Sequence, residues 1–257
     1  MGGGGGSAAP ASQKTLPSPC LALSPCAVYG CRGRGEGRGL GGTIADTGAV
    51  MEADPATLPW KSVYKLMIGS ILPRPIGWIS TADAAGRTNL APFSFFNAVA
   101  SRPPTVLFCP TIREFDAGPK DTLRNVRTTG EFVVNIVTES LAEAMNISST
   151  EFPPEVDEFQ AAGLTPAPSV VVAPPRVAES PIHFECRVHQ IVELGAEPGA
   201  GAVVLGRIVH LHVDPSVLTG DDKIDLAALR PIGRLSGAGY CRVTDVFQMP
   251  RPQSQLG

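Results

Sequence analysis

The chain has no apolar run long enough to span a bilayer. Its most β-rich segment, Val203 to Val213, is broken by Gly206, Arg207, His210 and His212, whereas a membrane helix needs about 20 consecutive apolar residues. It has no Cys-x-x-Cys pair, and six cysteines among 257 residues do not make a disulfide framework, so a reducing, cytoplasmic setting is the simpler expectation. It has no basic excess either. With 21 Lys and Arg against 24 Asp and Glu and a net charge of −3, no field draws in nucleic acid or an anionic membrane. A Gly-x-Ser-x-Gly element is missing, which leaves serine-hydrolase chemistry of that type without support. What is present is a 43% hydrophobic chain, long enough to bury one large core or two small ones.

Residues 1–50 differ from the rest. They hold 13 of the 28 glycines and three of the six cysteines, and bury too little apolar surface to offset the entropy of ordering. The expectation is a disordered leader, with patterned sequence, and a candidate translation start, at Met51. Pro17, Pro19 and Pro25 break any signal-peptide core; organelle targeting stays open on this composition. Gly37-Arg-Gly-Leu-Gly-Gly42 has dinucleotide-loop spacing but neither a strand before it nor a helix after it.

From Met51 to Gly257 the reading is one domain. Pro59 to Leu72 carries a weak helical stripe of Val63, Leu66, Met67 and Ile71. Arg74-Pro-Ile-Gly-Trp-Ile-Ser-Thr81 and Asn89-Leu-Ala-Pro-Phe-Ser-Phe-Phe-Asn97 read as a hairpin around the turn residues 82–87. Small polar groups among aromatics, as here, suit a planar, polar-edged ligand such as a flavin better than acid-base chemistry. Strands follow at 105–109 and 131–137. Between them, 118–127 reads as a short helix capped by Asp121 or Thr122 and ended by Gly130. Its amino terminus, with Lys120 and the Thr122 hydroxyl, is a candidate phosphate site, and Asp121 is expected to cap the helix or pair with Arg124.

Two long alternating segments, 183–194 and 203–213, read as an antiparallel pair. Phe184, Cys186, Val188 and Val192 would share one face, and Val203, Leu205, Val209, Leu211 and Val213 another; all four histidines fall on the polar faces. Long strands with few helices indicate a β-barrel or sandwich. His210 and His212 could chelate a metal, but no register is fixed that would bring a third ligand, so no metal is expected. Arg234 to Tyr240 reads as a glycine-flanked turn or a ligand loop.

The ordered set of these motifs, from Arg74–Thr81 and Asn89–Phe96 through Lys120-Asp-Thr122 with Asn125 and the Phe132–Asn135 strand to Arg234-Leu-x-Gly-x-x-Tyr240, resembles the flavin reductase-like, FMN-binding split-barrel family. The likeness covers roughly residues 60–245. It implies a mainly β, Greek-key split barrel with short peripheral helices, and a homodimer with FMN near the subunit interface. It places Trp78, Ile79, Ser80 and Thr81 along the flavin, Asn89, Ala91, Pro92, Phe93 and Ser94 around its ring and ribityl chain, and Lys120, Asp121 and Thr122 near the phosphate, with Arg74 and Tyr240 as further contacts. It implies hydride transfer from NADH or NADPH to FMN, then electron delivery to free flavin, a monooxygenase partner or another acceptor. A flavin-binding electron carrier or store, and a flavin-free barrel module, are the competing expectations.

Overall fold

In the computed structural model, which describes residues 1–3 and 51–255 apart from Phe115 and Pro154, the hairpin forms as expected from its turn chemistry. Strands β1 (Gly77–Ala82) and β2 (Thr88–Phe93) pair antiparallel, Ile79 opposite Ala91 and Ser80 opposite Leu90. The Asp83 carboxylate accepts from the Ala85 and Arg87 backbone N–H groups, and Gly86 takes φ 83°, a left-handed value that glycine adopts without a Cβ penalty. Apart from its first three residues, the leader expected over 1–50 lies outside the described residues.

The second arm of the hairpin does not run on to Asn97. It ends at Phe93, and after Ser94 and Phe95 a separate strand, β3 (Phe96–Ser101), pairs with β4 (Pro104–Phe108). With β5 (Glu131–Ile136), the two-residue pair β6 (Pro166–Ala167) and β7 (Arg176–Val177), and the long strands β8 (Ile182–Glu193) and β9 (Ala202–Val213), the main sheet has the order β2-β1-β5-β8-β9-β4-β3. Its two edge strands, β2 and β3, are joined by only two residues. The sheet must therefore curl until its edges meet, leaving a barrel unpaired at one seam. Gly77 permits this closure, since a Cβ there would lie 2.5 Å from the Phe96 ring across the seam.

Strand alternation sends successive side chains to two cores. Ile79, Phe93, Phe108, Phe132 and Val204 fill the barrel, together with Leu123 and Val126 of helix α2 (Asp121–Thr129). Trp78 and Leu90 face outward beneath Met145 of α3 (Ala142–Ile147) and Phe159 of α4 (Glu158–Ala161). Helix α1 (Trp60–Ser70) buries Ile68 rather than the expected stripe, and Met67 stays 46% exposed. The short pair β10 (Leu218–Thr219) and β11 (Lys223–Ile224), helix α5 (Leu226–Leu229) and the hairpin of β12 (Ile232–Arg234) and β13 (Tyr240–Arg242) complete the chain. Among the described residues no helix is long and apolar enough to cross a membrane.

The face assignment of β9 needs correction. A register shift opposite Glu185 and Cys186 inserts one extra residue, and one extra residue turns every later side chain over. Before it, Ala202, Val204 and Ile208 pack the barrel; after it, Val213 packs a third cluster and Leu211 is left 57% exposed. Gly206 sits where the Phe132 ring crosses β9, and a Cβ there would lie 2.2 Å from that ring. Gly206→Ala is expected to overpack the barrel and destabilise it by about 1–3 kcal/mol, read as a lowered urea midpoint.

Candidate functional site

Beside the open seam lies a groove of ≈480 Å³ lined by Arg74, Ile76, Pro92, Ser94, Lys120, Met145, Ser149, Arg234 and Tyr240. Across Lys120 and Ser149 it continues into a second cavity of ≈440 Å³, reached by Asn89, Ala91, Arg113, Asp121, Thr122 and Thr150. Eight of the residues picked out in the sequence thus line one groove besides Asp121: Arg74, Asn89, Ala91, Pro92, Ser94, Lys120, Thr122 and Tyr240.

The remaining five stand behind it. Trp78, Ile79, Ser80 and Thr81 are fully buried and Phe93 is nearly so, and none is among the groove's lining residues. Three of them make hydrogen bonds that tie the surrounding elements together. The Trp78 indole N–H donates to Ser148 Oγ at 2.9 Å, which fixes the turn carrying Ser149 and Thr150. Ser80 donates to the Pro175 carbonyl at 2.5 Å. Thr81 Oγ1 accepts from Asn125 Nδ2 at 3.0 Å, while Asn89 Nδ2 donates to Thr122 Oγ1 at 2.9 Å. This buried cluster locks the start of α2 against β1 and β2.

The cap of α2 differs from expectation. Lys120 is the N-cap, without a side-chain cap bond, and Asp121 and Thr122 are already helical. Asp121 instead pairs with Arg124 within its own helix. The first N–H groups of α2 have no partner inside the helix, and among the described residues the Lys120 ammonium makes neither an ion pair nor a hydrogen bond. A cation beside open N–H donors at a helix amino terminus is the kind of donor set that suits an anion.

Arg74 is 5% exposed, and its guanidinium donates to the carbonyls of Ile68 (2.7 Å), Ile71 (3.0 Å) and Leu235 (2.9 Å). Burial, with Arg234 nearby, lowers its pKa. It therefore braces the end of α1 and the 235 loop along the groove. Arg234 bonds back-to-back with Arg74 through the main chain and stacks over Tyr240, its guanidinium carbon 4.5 Å from the ring centroid. Sequence reasoning missed Ser148, Ser149, Thr150 and Arg113; the run Ser148-Ser-Thr150 directly after α3 was the available signal.

The four histidines lie on β8 and β9, away from this groove. His183 pairs with His212 across the strands, and Glu185 pairs with His210. Contrary to the polar-face reading, His183 and Glu185 are buried. The proline-rich 168–175 loop covers Glu185, with the Val170 and Val171 N–H groups donating to its carboxylate at 2.8 and 2.7 Å, while His183 meets the Val177 carbonyl of β7. Among the described residues no group of three or more His, Cys, Asp or Glu side chains is arranged to hold a metal.

The barrel is open at one seam, and the groove beside it combines cations, hydroxyls and aromatic surface. Residues 68–225 match the flavin reductase like domain. The uncharacterized protein BH2278 of Halalkalibacterium halodurans is 43% identical over 204 residues, which is 79% of this chain and 97% of that one. The crystal structure of nitrilotriacetate monooxygenase component B from Bacillus cereus is 34% identical with a TM-score of 0.74, covering 78% of this chain and 99% of that one. A Shewanella frigidimarina protein with a split barrel domain shares the fold at 24% identity and a TM-score of 0.67, over 77% and 96% of the two chains. This chain belongs to the flavin reductase-like family, and its fold is the split barrel. Its chemistry is flavin-linked oxidoreduction.

Proposed function

We propose that the chain is an FMN-binding, NAD(P)H-dependent flavin reductase that works as a homodimer and supplies electrons to a second flavin, a monooxygenase partner or another acceptor. The observation that carries this reading is the unpaired Lys120 at the amino terminus of α2, at the junction of the two cavities. The donor set fits the group. Lys120 and the first N–H groups of α2 would hold the phosphate; Ser94, Ser149 and Asn89 offer hydrogen bonds along a polyol; Pro92, Ile76 and Tyr240 offer surface to a ring. When bound, FMN supplies the hydride and electron chemistry that these side chains lack. No histidine lines the groove, which agrees with a protein that positions and a cofactor that reacts. The monooxygenase partner rests on the likeness to nitrilotriacetate monooxygenase component B.

Purified protein is expected to carry or take up FMN and to bleach on anaerobic addition of NADH or NADPH, followed at the flavin absorbance with each nicotinamide in turn. Flavin bound but unbleached by either would replace this reading with that of an electron carrier. No flavin bound would remove it.

A further inference from the structure

The phosphate end of the groove is not its end. Past Asn89, Asp121 and Glu158, which belong to both cavities, the surface continues into a third cavity of ≈390 Å³ between the β1–β2 turn, the outer face of α2 and the residues Pro153, Val156 and Glu158. FMN would stop at Lys120 and leave it empty of ligand.

Resting on the proposed flavin reading, the geometry points to this cavity as the seat of the adenylate half of a dinucleotide. Four observations agree. It continues the groove from the phosphate end, where a dinucleotide carries on and a mononucleotide stops. Arg87 and Arg124 flank it, held in place by Asp83 and Asp121, and present N–H donors suited to a second phosphate. Pro153 and Val156 supply an apolar surface for a purine. Glu158 accepts from the Leu90 N–H at 3.4 Å, and burial raises its pKa; its carboxyl group suits ribose hydroxyls or an exocyclic amine.

The adenylate could come from FAD or from the nicotinamide dinucleotide, and titration separates them. The full chain is titrated calorimetrically with FMN and with FAD, and the FMN-saturated protein with NADH. Thr128 is exposed on α2 at the cavity wall, so Thr128→Trp fills the cavity without entering a core. We expect Thr128→Trp to weaken FAD or NADH about tenfold and Arg87→Ala to weaken the same ligand about threefold, with FMN affinity held within about twofold. Loss confined to FAD assigns the adenylate to the flavin; loss confined to NADH assigns it to the nicotinamide. FAD and NADH binding unchanged in both variants, or FMN weakened as much as either, overturns the inference. If Thr128→Trp does not fold, Arg87→Ala decides alone. Wild-type protein that binds no flavin overturns the proposed function and this inference together, whereas tight FMN binding with insensitive FAD and NADH overturns this inference only.

Discussion

Unfolding free energy is expected to fall by about 3 kcal/mol as the pH drops from His183's ordinary value of 6.5 to about 4. Burial pushes the His183 imidazole down to about 4, with Arg176 and His212 adding to the effect and Glu185 opposing it. Its Nε2 meets the Val177 carbonyl at 2.8 Å, and its Nδ1 is buried with no partner. A proton on Nδ1 would be an uncompensated buried charge. The sign follows from proton counting. Between those two pH values the unfolded chain binds a proton that the folded chain refuses, so acid favours unfolding over that window and stability is complete above it. Urea titrations at stepped pH should show the slope, and His183→Gln, which keeps a donor toward Val177 without titrating, should flatten it. An unchanged slope in that variant would mean that other groups carry the acid sensitivity. Glu185 acts in a separate window. Burial raises its pKa, but the bonds from Val170, Val171 and His212 outweigh that and hold it below the ordinary carboxylate value of 4.5, so its contribution is lost only at lower pH.

That buried pair also shows where sequence periodicity stopped being informative. Period-two alternation sorts side chains into two faces, but it does not say which face is covered. His183 and Glu185 looked solvent-facing because they alternate with Phe184 and Cys186; β7 over the first and the 168–175 loop over the second were unreadable as covers. The split at Phe93 was hidden for a related reason. Nothing local distinguishes a continuous strand through Ser94 and Phe95 from two edge strands, because the distinction is made by barrel closure between Gly77 and Phe96. The extra residue in β9 was equally invisible, since Val, Leu and Ile between them occur at both odd and even positions along it. What local chemistry does determine was legible: the Asp83–Gly86 turn, the Gly130 helix stop, and the order of polar motifs around the groove. The support of that groove was not, because Trp78 reaches Ser148 across 70 residues of chain.

The largest effect on ligand binding is expected at Lys120. Sequence reasoning gave Lys120 and the Thr122 hydroxyl equal parts at the phosphate, but their surroundings differ. Thr122 is 1% exposed and its Oγ1 is occupied by Asn89, so its side chain holds α2 in place and its backbone N–H is what remains for a ligand. Lys120 is unpaired at the mouth of the helix. Lys120→Ala removes a charge-assisted bond of about 1.5–3 kcal/mol, which corresponds to roughly a ten- to hundredfold loss of FMN affinity. Thr122→Val should cost about 1 kcal/mol of stability by stranding the Asn89 amide, with a smaller change in FMN affinity. Lys120→Ala, Thr122→Ala together should abolish FMN retention through purification. Riboflavin, which lacks the phosphate, is the decisive control: its affinity should be the same in wild type and Lys120→Ala. Equal weakening of riboflavin and FMN would place Lys120 against the ring or polyol instead, and FMN binding untouched by the substitution would move the phosphate away from α2 altogether. Raised salt should reproduce the same pattern, because screening weakens an exposed ammonium–phosphate contact while leaving ring contacts intact.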